Sequence, residues 1–176
     1  MTLRWAFVAL VMTLSAGPAI AQVQTPVERG KYLVGISGCF DCHTPGYFFG
    51  KPDMARYLGG SDVGFEIPDL GVFVGPNLTP DKETGLGAWS DEQIAAALTT
   101  GARPDGRILA PIMPWRAFAN LTKSDVAAIV AYLRSLPPVQ HKVAGPFGAS
   151  EKPTVFVMKV VPPPDGVVPS EPPPKP

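Results

Sequence analysis

An all-α domain with long loops and a proline-rich tail is the fold that the sequence predicts, on three observations. Three stretches open with helix-capping residues and continue with apolar side chains at helical spacing. Between the first and second of these, glycine and proline interrupt the chain at short intervals. Proline dominates the last residues. The 176 residues include 22 Pro and 18 Gly, and 45% are hydrophobic, enough apolar material for one core in a chain of single-domain length. Lys+Arg and Asp+Glu number 15 each, so the formal charge is zero. That argues against a nucleic-acid partner, whose phosphates call for a basic surplus.

Residues 1–21 read as a secretory signal peptide. Arg4 precedes an apolar run from Trp5 to Leu14, Gly17-Pro18 breaks the run, and Ala19-Ile20-Ala21 forms a small-residue cleavage site before Gln22. A spanning anchor needs about 20 apolar residues, and this run ends too soon. The expectation is an exported protein that meets a membrane only through a partner complex.

The first helix opens at Thr25-Pro26-Val27-Glu28, a capping box with proline at the first helical position. It carries Tyr32, Leu33 and Ile36 and ends near Gly38. Ser90-Asp91-Glu92-Gln93 is a second box, followed by Ile94, Ala97 and Leu98, with Gly101 as the stop. Thr122-Lys123-Ser124-Asp125 opens the third helix, with Val126, Ile129, Val130 and Leu133 along one stripe and Pro137-Pro138 at its end. These bounds predict a domain over residues 22–138 and an extension over 139–176. Within the extension, Thr154 to Val161 is an apolar, β-branched run expected to pack back on the domain or dock a partner. The Pro-rich end is expected to stay extended.

Both cysteines lie in Cys39-Phe40-Asp41-Cys42-His43. A thioredoxin-like dithiol belongs near strand–helix alternation, which the flanking sequence lacks. Structural zinc takes four ligands, and the one other histidine, His141, has no second ligand beside it. The remaining reading is covalent haem: C-x-x-C-H is the attachment signature, with two thiols spaced for two vinyl groups and a histidine next to them for the iron. One such motif predicts one haem c, with His43 on the metal. Candidates for the opposite axial position are Met54, Met113, Met158 and His141, or no residue. Met113 is preferred because Pro111 and Pro114 bracket it in a stiff loop. A thioether paired with imidazole is also the ligand set that raises cytochrome potentials. Met54 follows His43 too closely to wrap around the ring, and Met158 sits in the strand-like run of the tail.

The stretch from His43 to Ser90 lacks helical periodicity, and a loop so long needs a reason in a compact domain. If haem supplies part of the core, the loop drapes over it, with Phe65, Ile67, Leu70, Phe73, Val74 and Leu78 as candidates to pack on the porphyrin or in ordinary core. Arg107 is a candidate partner for a haem propionate, because a guanidinium fork matches a carboxylate, or else a solvated residue of the Pro104-Asp-Gly-Arg107 turn. Trp115 is expected to pack, and Asp41 and His141 to face solvent.

The order of helix, Cys39-x-x-Cys42-His43, long loop, short helix, Met113 loop and final helix resembles a class I cytochrome c. Gly75-Pro76-Asn77-Leu78 is similar to that family's segment after the attachment motif. The resemblance implies that the Pro76 carbonyl accepts a hydrogen bond from the axial imidazole. It also implies that a buried tryptophan donates to a propionate, a role open to Trp89, whose alternative is packing at the start of the second helix. More closely, Gly75 to Asp81, Thr84 to Ser90, Pro104-Asp-Gly-Arg107 and Met113-Pro-Trp115 resemble the haem domains of dehydrogenase-associated cytochromes. These take electrons from periplasmic alcohol, aldehyde or sugar-acid dehydrogenases. The resemblance covers about residues 26 to 138 and departs from the multihaem members, which repeat the attachment motif.

It implies a periplasmic electron carrier, not itself an enzyme, passing one electron at a time between a donor such as a dehydrogenase and a respiratory acceptor. The other class weighed is a haem enzyme or a gas or redox sensor with a labile methionine. Carbon monoxide binding and high-spin absorption discriminate that class from a carrier.

Overall fold

The structure, a computed structural model, describes residues 24–161; the expected signal peptide lies outside the described residues, as does the end of the Pro-rich tail. Helix α1 spans Pro26–Ile36, α2 Cys39–His43, α3 Asp91–Thr100, α4 Trp115–Phe118 and α5 Lys123–Ser135. Short 3-10 turns occupy Tyr47–Phe49 and Met54–Arg56. Strands are β1 Val63–Ile67, β2 Gly71–Val74 and β3 Phe156–Met158.

The caps work as their residue types dictate. Thr25 Oγ1 accepts from the Glu28 amide at 3.2 Å while the Glu28 carboxylate accepts from the Thr25 amide at 2.8 Å. Ser90 and Gln93 exchange the same pair of bonds at 3.2 and 2.8 Å. Thr122 Oγ1 accepts from the Asp125 amide at the start of α5. Gly101, at φ +74°, closes α3 in the left-handed conformation open to glycine.

Leu33 and Val34 of α1, Ile94 of α3 and Ala128, Ile129, Val130, Tyr132 and Leu133 of α5 form the core together with Leu58 and Leu86. Cys39 packs against this cluster, so the attachment motif is rooted in it. Arg134 fastens α5 to the loop before α3. It pairs with Asp91 at 2.8 Å and donates to the carbonyls of Leu86 and Trp89.

The fold is not all-α. A three-stranded sheet of order β2-β1-β3 stands beside the helices. Strands β1 and β2 form an antiparallel hairpin, Phe65 opposite Phe73 and Ile67 opposite Gly71. Strand β3 joins β1 in parallel, Val63 opposite Phe156 and Phe65 opposite Met158. The physical reason lies in a turn that reads locally as mere loop. The Leu70 amide donates to the Ile67 carbonyl at 3.1 Å across Pro68-Asp69. Asp69 sits at φ +65°, and Pro followed by a positive-φ residue is the pattern of a type II turn. The extension embraces the hairpin on both sides, because Phe147 and Val72 exchange backbone hydrogen bonds at 2.9 Å on the outer edge of β2.

Candidate functional site

Helix α2 is little more than one turn, entered through Gly38 at φ +66°. Cys39 and Cys42, three positions apart, fall on one side of it. Both thiols are free and half-buried. Burial pushes the Cys39 thiol up to about 11, and burial with the Asp41 charge also raises Cys42. Asp41 is half-buried rather than turned out to solvent.

His43 ends α2 and is only 5% exposed. Its Nδ1 lies 2.7 Å from the Pro76 carbonyl oxygen, so Nδ1–H donates and the Nε2 lone pair is left uncommitted. Burial lowers the basicity of His43, and the bond to Pro76 opposes it.

Two loops grip this histidine. The Gly60 amide donates to the His43 carbonyl at 2.8 Å, the Ser61 amide to the Gly75 carbonyl at 2.9 Å, and the Leu78 amide to the Leu58 carbonyl at 2.9 Å. Gly75 cannot be another residue here, since a Cβ would stand 1.8 Å from the Cys42 carbonyl oxygen and 3.3 Å from His43 Nδ1. Thr44, fully buried, accepts from the Leu58 amide at 3.0 Å.

The second loop is fixed by polar groups that sequence reading passed over. Asn77, 2% exposed, accepts from the Thr79 amide and hydroxyl at 2.9 and 2.7 Å, and donates to Thr84 Oγ1 and the Val139 carbonyl at 3.1 and 2.7 Å. His141 is half-buried, not exposed as expected, and its Nδ1 lies 2.7 Å from the Gly59 carbonyl oxygen. The hint available in the sequence was Asn77 and Thr79 set among glycine, proline and leucine just ahead of the charged run Asp81-Lys82-Glu83.

Of the methionines, Met113 is half-buried, in a turn closed by its own amide donating to Ala110 at 3.0 Å. Met54 is 61% and Met158 46% exposed. Trp89 packs half-buried against the core, with the Arg103 guanidinium 5.2 Å from its ring centre. Arg107 points to its own turn, donating to Asp105 at 2.7 and 3.0 Å. Trp115 donates to the Leu109 carbonyl at 3.2 Å and packs on Gly101. Of the loop residues expected near porphyrin, Leu78 joins the core, Phe65 meets Phe48 with ring centres 5.5 Å apart, and Leu70 is half-exposed at the hairpin turn.

The donor set fits covalent haem. Two unpaired thiols share one side of a short helix, beside a buried imidazole whose Nδ1 is already bonded and whose Nε2 is free for iron. Comparison with known proteins agrees. The family model described as "Cytochrome c" matches residues 27–137. The chain is 36% identical over 113 residues to the fructose dehydrogenase cytochrome subunit of Gluconobacter japonicus, covering 62% of this chain and 22% of that one. It is 34% identical over 140 residues to the cytochrome c subunit of the quinone alcohol dehydrogenase of Gluconobacter oxydans, covering 77% and 27%. A diheme cytochrome c-type protein of Cereibacter sphaeroides is 32% identical over 157 residues, covering 78% and 52%. The chain thus spans about a quarter of the length of the first two relatives.

Proposed function

The chain belongs to the cytochrome c family and serves electron transfer, and we propose that it carries one electron at a time through a single haem c bonded to Cys39 and Cys42. In this reading His43 and Met113 would hold the iron. The observation that carries it is the bond from His43 Nδ1 to the Pro76 carbonyl, which fixes the tautomer and leaves Nε2 with the uncommitted lone pair that an iron would need. One attachment motif in the sequence supports a single haem.

Haem, when bound, supplies an iron that changes oxidation state without changing its ligands. The chain's own contribution is to hold that state change cheaply. The packed core behind Cys39 and the loops around His43 keep the ligand set rigid, so little of the protein reorganises. A carbonyl bonded to Nδ1 strengthens the imidazole as a donor, while the Met113 thioether favours reduced iron. Trp89 is proposed to face a propionate, with the Arg103 guanidinium beside its ring. Arg107, occupied by Asp105, reaches a propionate only if that pair opens.

Names of the relatives support a dehydrogenase as electron donor and a place in a redox complex, with the chain as carrier and not as the site of substrate turnover. Export to the periplasm, with 1–21 removed, 22–138 as the haem domain and 139–176 as its extension, completes the proposal. Among the described residues no helix is long and apolar enough to cross a membrane.

Absorption spectra of both oxidation states test the reading. The expected result is a low-spin spectrum with the sulfur-to-iron band of His–Met ligation, and no binding of carbon monoxide by the reduced protein. High-spin iron, or rapid carbon monoxide binding, would sink it.

A further inference from the structure

The chain beyond the last helix does more than follow the domain. Residues 139–143 lie across both loops that grip His43. The Val139 carbonyl accepts from Asn77 at 2.7 Å, the Val139 amide donates to Thr79 Oγ1 at 3.0 Å, and the His141 amide donates to Thr84 Oγ1 at 3.0 Å. Space beneath this strap is minimal: a Cβ on Gly60 would lie 2.2 Å from a Val143 methyl, and one on Gly59 3.1 Å from a Val139 methyl.

One peptide unit connects the strap to the ligand. The Gly59 carbonyl accepts from His141 Nδ1–H at 2.7 Å, and the Gly60 amide, in the same planar unit, donates to the His43 carbonyl at 2.8 Å. A peptide between two glycines turns over more easily than any other, and Gly60 already sits at φ +104°. On its amide side the bond to the His43 carbonyl is what fixes that unit. A donor on its carbonyl side fixes its plane and also polarises the amide.

We propose that His141 is a positioning residue for the electron-transfer site, locking the Gly59–Gly60 peptide so that its amide holds the end of α2 and keeps the His43 imidazole set against Pro76. The inference rests on the reading of His43 as the iron ligand. It needs a donor at the Nδ1 position and not at Nε2, which faces Arg56 Nη1 at 3.4 Å. That requirement makes it testable with two polar substitutions. Asparagine places an amide N–H where Nδ1 stands; glutamine, one methylene longer, places it where Nε2 stands.

The experiment compares His141→Asn and His141→Gln in the haem-loaded protein. The readouts are hydrogen exchange at the Gly60 amide, exchange of the His43 ring proton, and the reduction potential. His141→Gln is expected to speed exchange at both protons severalfold. It is also expected to raise the potential, because a loosened bond to Pro76 makes the imidazole a weaker donor to oxidised iron. His141→Asn is expected to hold all three near wild-type values. The proposal is overturned if His141→Gln leaves exchange unchanged, if it speeds exchange without moving the potential, or if asparagine fails to rescue what glutamine loses. An error in the ligand assignment shows separately, in the spectrum of the unmutated protein.

Discussion

Gly30 of α1 lies so close beneath Ala128 of α5 that a Cβ on Gly30 would stand 1.9 Å from the Ala128 carbonyl oxygen and 2.7 Å from the Tyr132 Cβ. The two helices therefore cross backbone against backbone. Arg29 and Asp125, 2.8 Å apart, pin the crossing alongside. Leu33 and Val34 carry the contact into the core, next to the Cys39 that the haem is proposed to bond.

Gly30→Ala must push the helices apart. Overpacking of this kind costs about 1–3 kcal/mol, and the contact with backbone rather than a movable side chain places this case at the upper end. Denaturant midpoints of the haem-loaded protein measure it. A variant as stable as the wild type would mean that α1 shifts without loss.

Gly75→Ala strikes the site itself, since its methyl would collide with the Cys42 carbonyl oxygen at 1.8 Å. The expected outcome is a low yield of covalent haem and a disturbed His43 environment in what does mature. Denaturing gels stained for haem, and the spectrum of the soluble fraction, check both. Replacing Cys39 and Cys42 together with Ala should abolish covalent haem outright.

Met113→Ala is expected to keep haem attached and His43 bound, to open the opposite axial position, to lower the reduction potential and to admit carbon monoxide to the reduced protein. Met113→His should restore low-spin iron at a potential below the wild type. Met54→Ala and Met158→Ala, at exposed positions, should do neither. Potentiometry and carbon monoxide titration decide among the three methionines.

The Arg107 guanidinium hydrogen-bonded to Asp105 holds that carboxyl at about 2, below the ordinary 3.8. A carboxyl depressed in the folded state stabilises it above the unfolded value, and that contribution fades as the pH falls through the folded one. Thermal midpoints of the wild type and Asp105→Asn should therefore differ above pH 3.8 and converge as the pH approaches 2. The pair is exposed, so the difference should be small and should shrink with added salt. A gap that stays constant across this window would show that Asp105 acts by something other than its charge.

Ending the chain after Lys152 removes β3, which pairs with β1 and brings Phe156 to 4.9 Å from Phe49. Stability should fall by roughly 1–3 kcal/mol as apolar surface on β1 is uncovered. The ligand spectrum should not change, because the strap at 139–143 stays in place. A changed spectrum would implicate Met158 in the metal site.

What could be read from the sequence was what is local. Thr25 with Glu28 and Ser90 with Gln93 make their bonds three residues away, and each box announces its helix without help from the rest of the chain. The C-x-x-C-H motif is equally self-contained. The sheet was missed because its parts are short and its pairing is remote. Gly64 interrupts the alternation in β1, β2 has only four residues, and β3 meets its partner from the far end of the described chain. The apolar run around β3 reads as a segment that packs back on the domain, but nothing local names β1 as its neighbour. His141 was misplaced for the same reason, since nothing near it in sequence names Gly59 as its acceptor. The Pro68-Asp69 turn was legible in principle, and the surrounding glycines masked it as loop.

The parallel register that sets Val63 against Phe156 encloses more than ninety intervening residues, including every helix after α2. Such a pairing has a very high contact order, and its loop-closure entropy is met only once the enclosed chain has already compacted. The α1–α5 crossing closes a span just as long, with 96 positions between Arg29 and Asp125, so the same intervening chain is pinned twice, once between helices and once between strands.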